Sequence, residues 1–104
     1  MNALRFAPLS LVIALGLGTN LALADEATAK ANGCMACHNI DKKLVGPAFK
    51  SIATKFKGDA NAAEELAKVV KAGSKGVWGP VPMPPQTKIS DADLKKVLTW
   101  VLTQ

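Results

Sequence analysis

The 104-residue chain contains the stretch Cys34-Met35-Ala36-Cys37-His38, which holds both of its cysteines and its only histidine. Two residues separate the thiols, so a disulfide between them would close too small a loop to constrain the rest of the chain. The chain also has only two Trp and three Phe, one of them near the N-terminus, which makes a thin core. A bound cofactor is therefore the better candidate for stabilising a fold of this size.

The C-x-x-C-H spacing of this stretch marks covalent attachment of c-type haem. Two thiols so placed can add to the two vinyl groups of one porphyrin, and the neutral imidazole of the following histidine can reach the iron. A thioredoxin-like dithiol would need βαβ surroundings, and a zinc site would need a further Cys or His, which the chain lacks. The sequence thus predicts one covalent haem c on Cys34 and Cys37, with His38 bound to the iron.

The N-terminal segment has the form of a secretory signal peptide. Arg5 precedes an apolar run over residues 9–18, and Ala22-Leu23-Ala24 has the small-x-small pattern of a cleavage site. The run is short for a membrane anchor, which needs about 20 residues. No cysteine follows it, which argues against a lipoprotein. We predict cleavage after Ala24 and a single exported domain, residues 25–104; an uncleaved, tethering leader is the alternative.

Helical periodicity predicts an all-α domain, since no segment alternates as a strand. The expected helices cover residues 26–32, 48–56, 62–72 and 91–102. Asn61, with Glu64 in the capping-box position, is expected to cap the third, and Ser90 the fourth. The fourth carries the apolar stripe Leu94, Val97, Leu98, Val101 and Leu102. Residues 73–89 lose this periodicity and contain Pro80, Pro82, Pro84 and Pro85, so they should form an extended loop.

Met83 is the candidate for the second axial ligand, partly by elimination. No other histidine exists, and the remaining methionine beyond the leader, Met35, lies inside the attachment stretch and cannot swing across the ring. The prolines around Met83 fix the backbone and can hold a thioether in place at small entropic cost. Without a haem, a methionine in a loop would more often serve packing.

Four further segments carry a resemblance to a known family: Val45-Gly46-Pro47-Ala48, Gly73-Ser74-Lys75-Gly76-Val77-Trp78-Gly79-Pro80, Pro82-Met83-Pro84-Pro85 and Trp100-Val101-Leu102. Together with the attachment stretch, and in this order, they resemble the small bacterial class I cytochromes c of the cytochrome c-551/c-552 (c8) type. The resemblance covers essentially all of residues 25–104. It implies the all-α class I cytochrome c fold, with about four helices and long loops wrapped around one covalent haem.

The resemblance also implies roles for individual residues. Cys34 and Cys37 carry the thioethers, His38 is the proximal ligand and Met83 the distal one. Pro47 offers its backbone carbonyl to the other imidazole N–H, where the alternative is an ordinary turn proline. Trp78 resembles the indole donor to a haem propionate, where the alternative is a core aromatic.

At three positions the chain departs from the family pattern. Gln86 stands where an asparagine commonly bonds the ligand sulfur, and its longer side chain changes the reach to that atom. Val69 replaces an arginine near the propionates, which removes one stabilising charge. Ala29 replaces an aromatic of the first helix, so we expect a smaller contact between the first and last helices beside Trp100.

By resemblance the protein is a soluble electron carrier of the periplasm of a Gram-negative bacterium, a monomer and not an enzyme. Its implied partners are a cytochrome bc1-type donor and a nitrite reductase, peroxidase or oxidase acceptor of respiration or denitrification.

The formal net charge of +5 is moderate and haem carboxylates lower it, so nucleic-acid binding is not indicated. The candidates for electrostatic steering of an acidic partner are Lys42, Lys43, Lys50 and Lys75. The alternative is a haem protein with an open iron site, such as a peroxidase or a gas-binding cytochrome c′.

Overall fold

The computed structural model describes the backbone of residues 18–104 and the side chains of residues 25–104. Helix α1 spans Gly18–Ala31, α2 Phe49–Lys55, α3 Ala62–Ala72 and α4 Asp91–Val101, and a 3₁₀ turn covers Cys34–Ala36. The described residues contain no strand, only an isolated antiparallel bridge between Ser74 and Met83. The predicted all-α architecture is therefore confirmed, and so is the long loop after α3.

Helix α1 ends one residue before its predicted end at Asn32, and it begins earlier than predicted. The expected helix started at Glu26, whereas the observed one is continuous from Gly18. Leu and Ala are strong helix formers, and nothing between residues 21 and 26 interrupts the turn, so the helix extends backwards through this segment. Most of the predicted signal peptide, residues 1–17, lies outside the described residues, and its cleavage stays a prediction. Within the described part of the chain, no helix is long and apolar enough to cross a membrane.

Helix α4 is the centre of the core, because α1, α2 and α3 all pack against it. Its buried side chains are Leu94, Val97, Leu98, Trp100 and Val101. They form one cluster with Ala29 of α1, Phe49 of α2 and Ile89 of the long loop. Ala29 is fully buried, so α1 contributes only a methyl group at the position where the family pattern has an aromatic side chain. The predicted apolar stripe is confirmed except at Leu102, which follows the helix and is only half-buried.

The two predicted helix caps have different outcomes. Ser90 caps α4 as expected, since its hydroxyl accepts from the Asp93 backbone N–H at 3.1 Å. Asn61 occupies the N-cap position of α3, but its side chain makes no capping bond, so the expected capping box is wrong. Its ψ of 6° departs from the extended backbone that aims an N-cap side chain at the helix. Instead, the Asp59 carboxylate accepts from the Asn61 backbone N–H at 2.9 Å.

These caps give a paired prediction for stability. Ser90→Ala should lower the free energy of unfolding by about 1 kcal/mol, because it leaves a helix N–H without its side-chain acceptor. Asn61→Ala is the matched control and should cost clearly less, since the Asn61 side chain caps nothing. Guanidinium titration of the haem-loaded protein measures both variants. Equal losses would contradict the assignment of the caps.

Candidate functional site

The 3₁₀ turn brings the two cysteines and the histidine into one compact unit. The His38 backbone N–H donates to the Cys34 carbonyl at 3.0 Å, and the Gly46 backbone N–H donates to the Cys37 carbonyl at 2.8 Å. Cys37 is exposed and Cys34 half-buried, and neither is in a disulfide. Burial raises the pKa of the Cys34 thiol, which keeps it protonated at neutral pH. The turn therefore offers both sulfurs from one short segment.

The His38 ring is held on several sides. It is 8% exposed, and it stacks on Phe49 with ring centroids 5.1 Å apart, while Phe49 meets Trp100 edge-on at 5.5 Å. The ring Nδ1 lies 2.8 Å from the Pro47 carbonyl oxygen. A carbonyl only accepts, so Nδ1 carries the proton, and in the neutral ring Nε2 keeps its lone pair. His38 is thus fixed in the tautomer that can bind a metal through Nε2.

Gly46 allows this placement of the ring. A Cβ atom built on Gly46 would lie 2.6 Å from His38 Cε1 and 2.9 Å from Nδ1. Real Cβ atoms do not approach this closely, so the ring occupies space that only glycine leaves free. No local sequence pattern predicts this role. The sequence signal for it is limited to a glycine directly before Pro47, whose carbonyl is the expected hydrogen-bond acceptor.

Met83 is fixed by the bridge across the long loop. Its backbone N–H donates to the Ser74 carbonyl at 2.8 Å, and the Ser74 N–H donates to the Met83 carbonyl at 3.0 Å. Gly73 ends α3 with φ of +81°, and a Cβ there would lie 2.9 Å from the Met83 carbonyl oxygen. Only glycine satisfies both conditions at low cost. The pairing of Ser74 with Met83 was not predicted, because neither residue signals it locally.

All six predicted site residues line one cavity of about 560 Å³: Cys34, Cys37, His38, Pro47, Trp78 and Met83. Most of its remaining lining is apolar, and core side chains of α4 such as Leu94, Val97 and Leu98 form part of the wall. Lys43 and Lys88 are the charged side chains of the lining, which contains no Asp or Glu. Such a cavity suits a large apolar group with an anionic edge.

The remaining predictions have mixed outcomes. Trp78 is 36% exposed and lies in the cavity wall. The Gln86 side-chain amide donates to the Pro84 carbonyl at 3.0 Å, so this side chain is bonded to the backbone of its own loop. Val69 lines the cavity without a charge. Of the four lysines considered for steering, Lys50 is paired with Asp41 at 2.5 Å and Lys43 lines the cavity.

The residues present fit a haem. The volume lies within the range of about 300–1,000 Å³ that ligand and cofactor sites occupy, and two thiols stand beside a histidine whose Nε2 is free to bind iron. The Met83 thioether belongs to the lining of the same cavity. A cavity of this chemistry next to a C-x-x-C-H turn defines a class, the c-type haem proteins, whose polypeptide folds around a porphyrin bonded to it.

The particular family follows from comparison with known proteins. The family model named Cytochrome c matches residues 26–104, and the chain belongs to that family. It therefore carries one covalent haem c, and it is a small electron-transfer protein, not an enzyme.

Relatives and solved structures agree with this membership. Cytochrome c-551 of Pseudomonas aeruginosa is 48% identical over 102 residues, which cover 93% of this chain and 97% of that protein. Cytochrome c-552 of Nitrosomonas europaea is 51% identical over 82 residues, or 79% of this chain and 80% of that protein. The crystal structure of wild-type Nitrosomonas europaea cytochrome c552 matches with a TM-score of 0.73 at 50% identity, covering 75% of this chain and 96% of that one. The predicted family and class I fold are confirmed.

Gly46 gives a prediction for the site. Gly46→Ala should displace the His38 ring, because the new methyl group would overlap it, and should cost about 1–3 kcal/mol of stability through overpacking. We expect the reduction potential and the histidine ring NMR signals to change with haem still attached. Gly58→Ala is the control, since its φ of +82° strains the backbone but nothing lies within 4 Å of the added methyl. Unchanged ring signals in Gly46→Ala would contradict the steric role.

Proposed function

We propose that the protein is a soluble periplasmic carrier of single electrons, with Cys34 and Cys37 as the thioether positions and His38 and Met83 as the axial ligands of the haem iron. The observation that carries this proposal is the convergence of both thiols, the His38 ring and Met83 on one apolar cavity. When bound, haem c supplies a one-electron Fe(III)/Fe(II) couple. With both axial positions filled by the chain, no site for a substrate is left on the iron.

His38 and Pro47 act together in this proposal. The Pro47 carbonyl accepts from Nδ1–H at 2.8 Å, which fixes the ring orientation and raises the basicity of Nε2. Stacking on Phe49 resists rotation of the ring. Little rearrangement of this side of the site is then needed when the iron changes its charge.

Met83 acts from the long loop. The bridge to Ser74 and the surrounding prolines restrict the backbone, so the thioether is presented without a large loss of entropy. A thioether ligand favours the reduced iron relative to a second histidine, and the axial ligands together tune haem potentials over about 0.8 V. We therefore expect a positive reduction potential.

Trp78 and the lysines complete the proposal. The Trp78 indole N–H is assigned to a haem propionate, consistent with its position on the cavity wall. Exposed lysines such as Lys42 and Lys75 would steer an acidic redox protein, a process that high salt should slow. A cytochrome bc1-type donor and a nitrite reductase, peroxidase or oxidase acceptor are the partners that we propose for this carrier. In this proposal residues 1–24 direct export and are removed once the chain has crossed the membrane.

The experiment that tests the ligand assignment is an optical spectrum of the exported protein in its oxidised and reduced forms. A far-red sulfur-to-iron band in the ferric form is expected from methionine ligation. A high-spin spectrum would overturn the assignment of Met83 and direct attention to ligand binding and peroxidase assays. Mass spectrometry of the same sample reports whether the chain begins at Asp25 and carries one haem.

A further inference from the structure

Trp78 has one specific contact in the described part of the chain, and that contact is with Lys55. The Lys55 ammonium lies 4.8 Å from the centroid of the Trp78 ring, within the range of a cation–π interaction. No hydrogen bond or second ring contact of this indole is found among residues 25–104. Lys55 is the last residue of α2, so the contact connects a helix end to the long loop.

The loop around Trp78 has few other constraints. Ser74 and Met83 pair with each other, but residues 75–82 between them make no backbone hydrogen bond within the described chain. Trp78 is 36% exposed and Val77 and Val81 are 58% exposed, so packing against the rest of the described chain covers this segment only partly. Among the described residues, the Lys55 ammonium is therefore the specific contact that can orient the indole.

The charge of Lys55 has the sign that this region needs. Haem has two carboxylates on one edge, and the cavity lining offers them Lys43 and Lys88 but no acid. Lys55 adds a third cation directly over a residue of that lining. A carboxylate next to Trp78 would find an unpaired indole N–H donor and a nearby ammonium, two features that favour its ionised form.

We propose that Lys55 is a positioning residue of the haem site: its ammonium orients the Trp78 indole for the haem carboxylate and places a positive charge at that edge of the cavity. This inference rests on the proposed function, because it assumes that Trp78 faces a haem carboxylate. A positive charge near the iron favours the reduced state, since reduction removes one positive charge from the centre. Loss of the Lys55 charge should therefore lower the reduction potential.

Three variants of the haem-loaded protein test this proposal. Lys55→Met keeps the aliphatic length and removes the charge, whereas Lys55→Arg keeps the charge and the ring contact. Lys57→Met is the matched control, because Lys57 is an exposed lysine just beyond α2 with no ring contact. We expect Lys55→Met to shift the equilibrium toward the oxidised form about threefold, or about 28 mV at 59 mV per tenfold. Lys55→Arg and Lys57→Met should shift it less.

Two readouts separate this role from a purely structural one. The potential difference between Lys55→Met and the parent protein should shrink from about 0.01 M to about 1 M salt, as the screening length falls from about 30 to about 3 Å. In NMR spectra, the Trp78 indole N–H signal, identified with Trp78→Phe, should move in Lys55→Met. The signal of buried Trp100 should not move.

The outcomes are distinguishable. Equal reduction potentials of Lys55→Met and Lys57→Met, or an unmoved Trp78 signal, would overturn the Lys55 proposal. A normal far-red band in the same samples would leave the proposed function intact. Absence of that band from the parent protein would overturn both. A lower potential confined to Lys55→Met, reduced by salt and accompanied by a moved Trp78 signal, supports the proposal.

Discussion

Met83→Ala should keep the haem attached but convert the low-spin iron to a high-spin form that binds carbon monoxide when reduced. The thioether is the only sulfur ligand that this loop offers, and the described chain has no histidine besides His38. The far-red ferric band should disappear, and the reduction potential should fall, because methionine favours the ferrous state. Optical spectra, with and without carbon monoxide, measure each of these changes.

Met35→Ala is the matched control for this variant. Met35 lies between the two cysteines and is half-buried against the core, so its loss should cost some stability and leave the axial ligands unchanged. We expect the control to keep the far-red band and to exclude carbon monoxide. A low-spin spectrum of Met83→Ala that matches the parent protein would falsify the assignment of Met83 as a ligand.

Replacing both Cys34 and Cys37 by alanine should abolish covalent haem attachment and, with it, the cooperative fold. The cavity of about 560 Å³ is bordered by the same α4 side chains that make the core. Without haem, the apolar lining of this cavity would face water, and leaving a large apolar side chain exposed costs about 1.5–3 kcal/mol, against a whole stability of about 5–15 kcal/mol for a typical domain. We therefore expect that the core alone does not hold α1, α2 and α3 against α4.

Circular dichroism and acid–acetone extraction test this prediction. The double variant should lose most of its helical signal and its cooperative thermal transition, and no haem should stay with the protein after extraction. Ala36→Ser is the control, because Ala36 is exposed between the cysteines and its replacement leaves both thiols in place. A haem-free double variant that still unfolds cooperatively would show that the core is self-sufficient.

The confirmed predictions depend on patterns that are local in the sequence. The attachment stretch occupies five consecutive residues, so its chemistry could be derived without knowing the fold. The Ser90 cap depends on a bond across three residues, and the α4 stripe on a repeat within one helix. The failed capping box shows where such reasoning ends, since Asp59 competes for the Asn61 backbone and the local φ and ψ decide the outcome.

The family, the haem attachment stretch and the helical class could be predicted from the sequence alone, together with a short set of candidate site residues, because each depends on residue types at short spacing. The tertiary structure alone decided how the site is held: Phe49 against the His38 ring, Gly46 beside it, Ser74 paired with Met83 and Lys55 over Trp78. The first two contacts form where the chain folds back after the attachment turn, the third pairs the two ends of one loop segment, and the fourth joins the end of α2 to that loop. Such contacts exist only after the helices pack on α4, since no local preference brings these residues together.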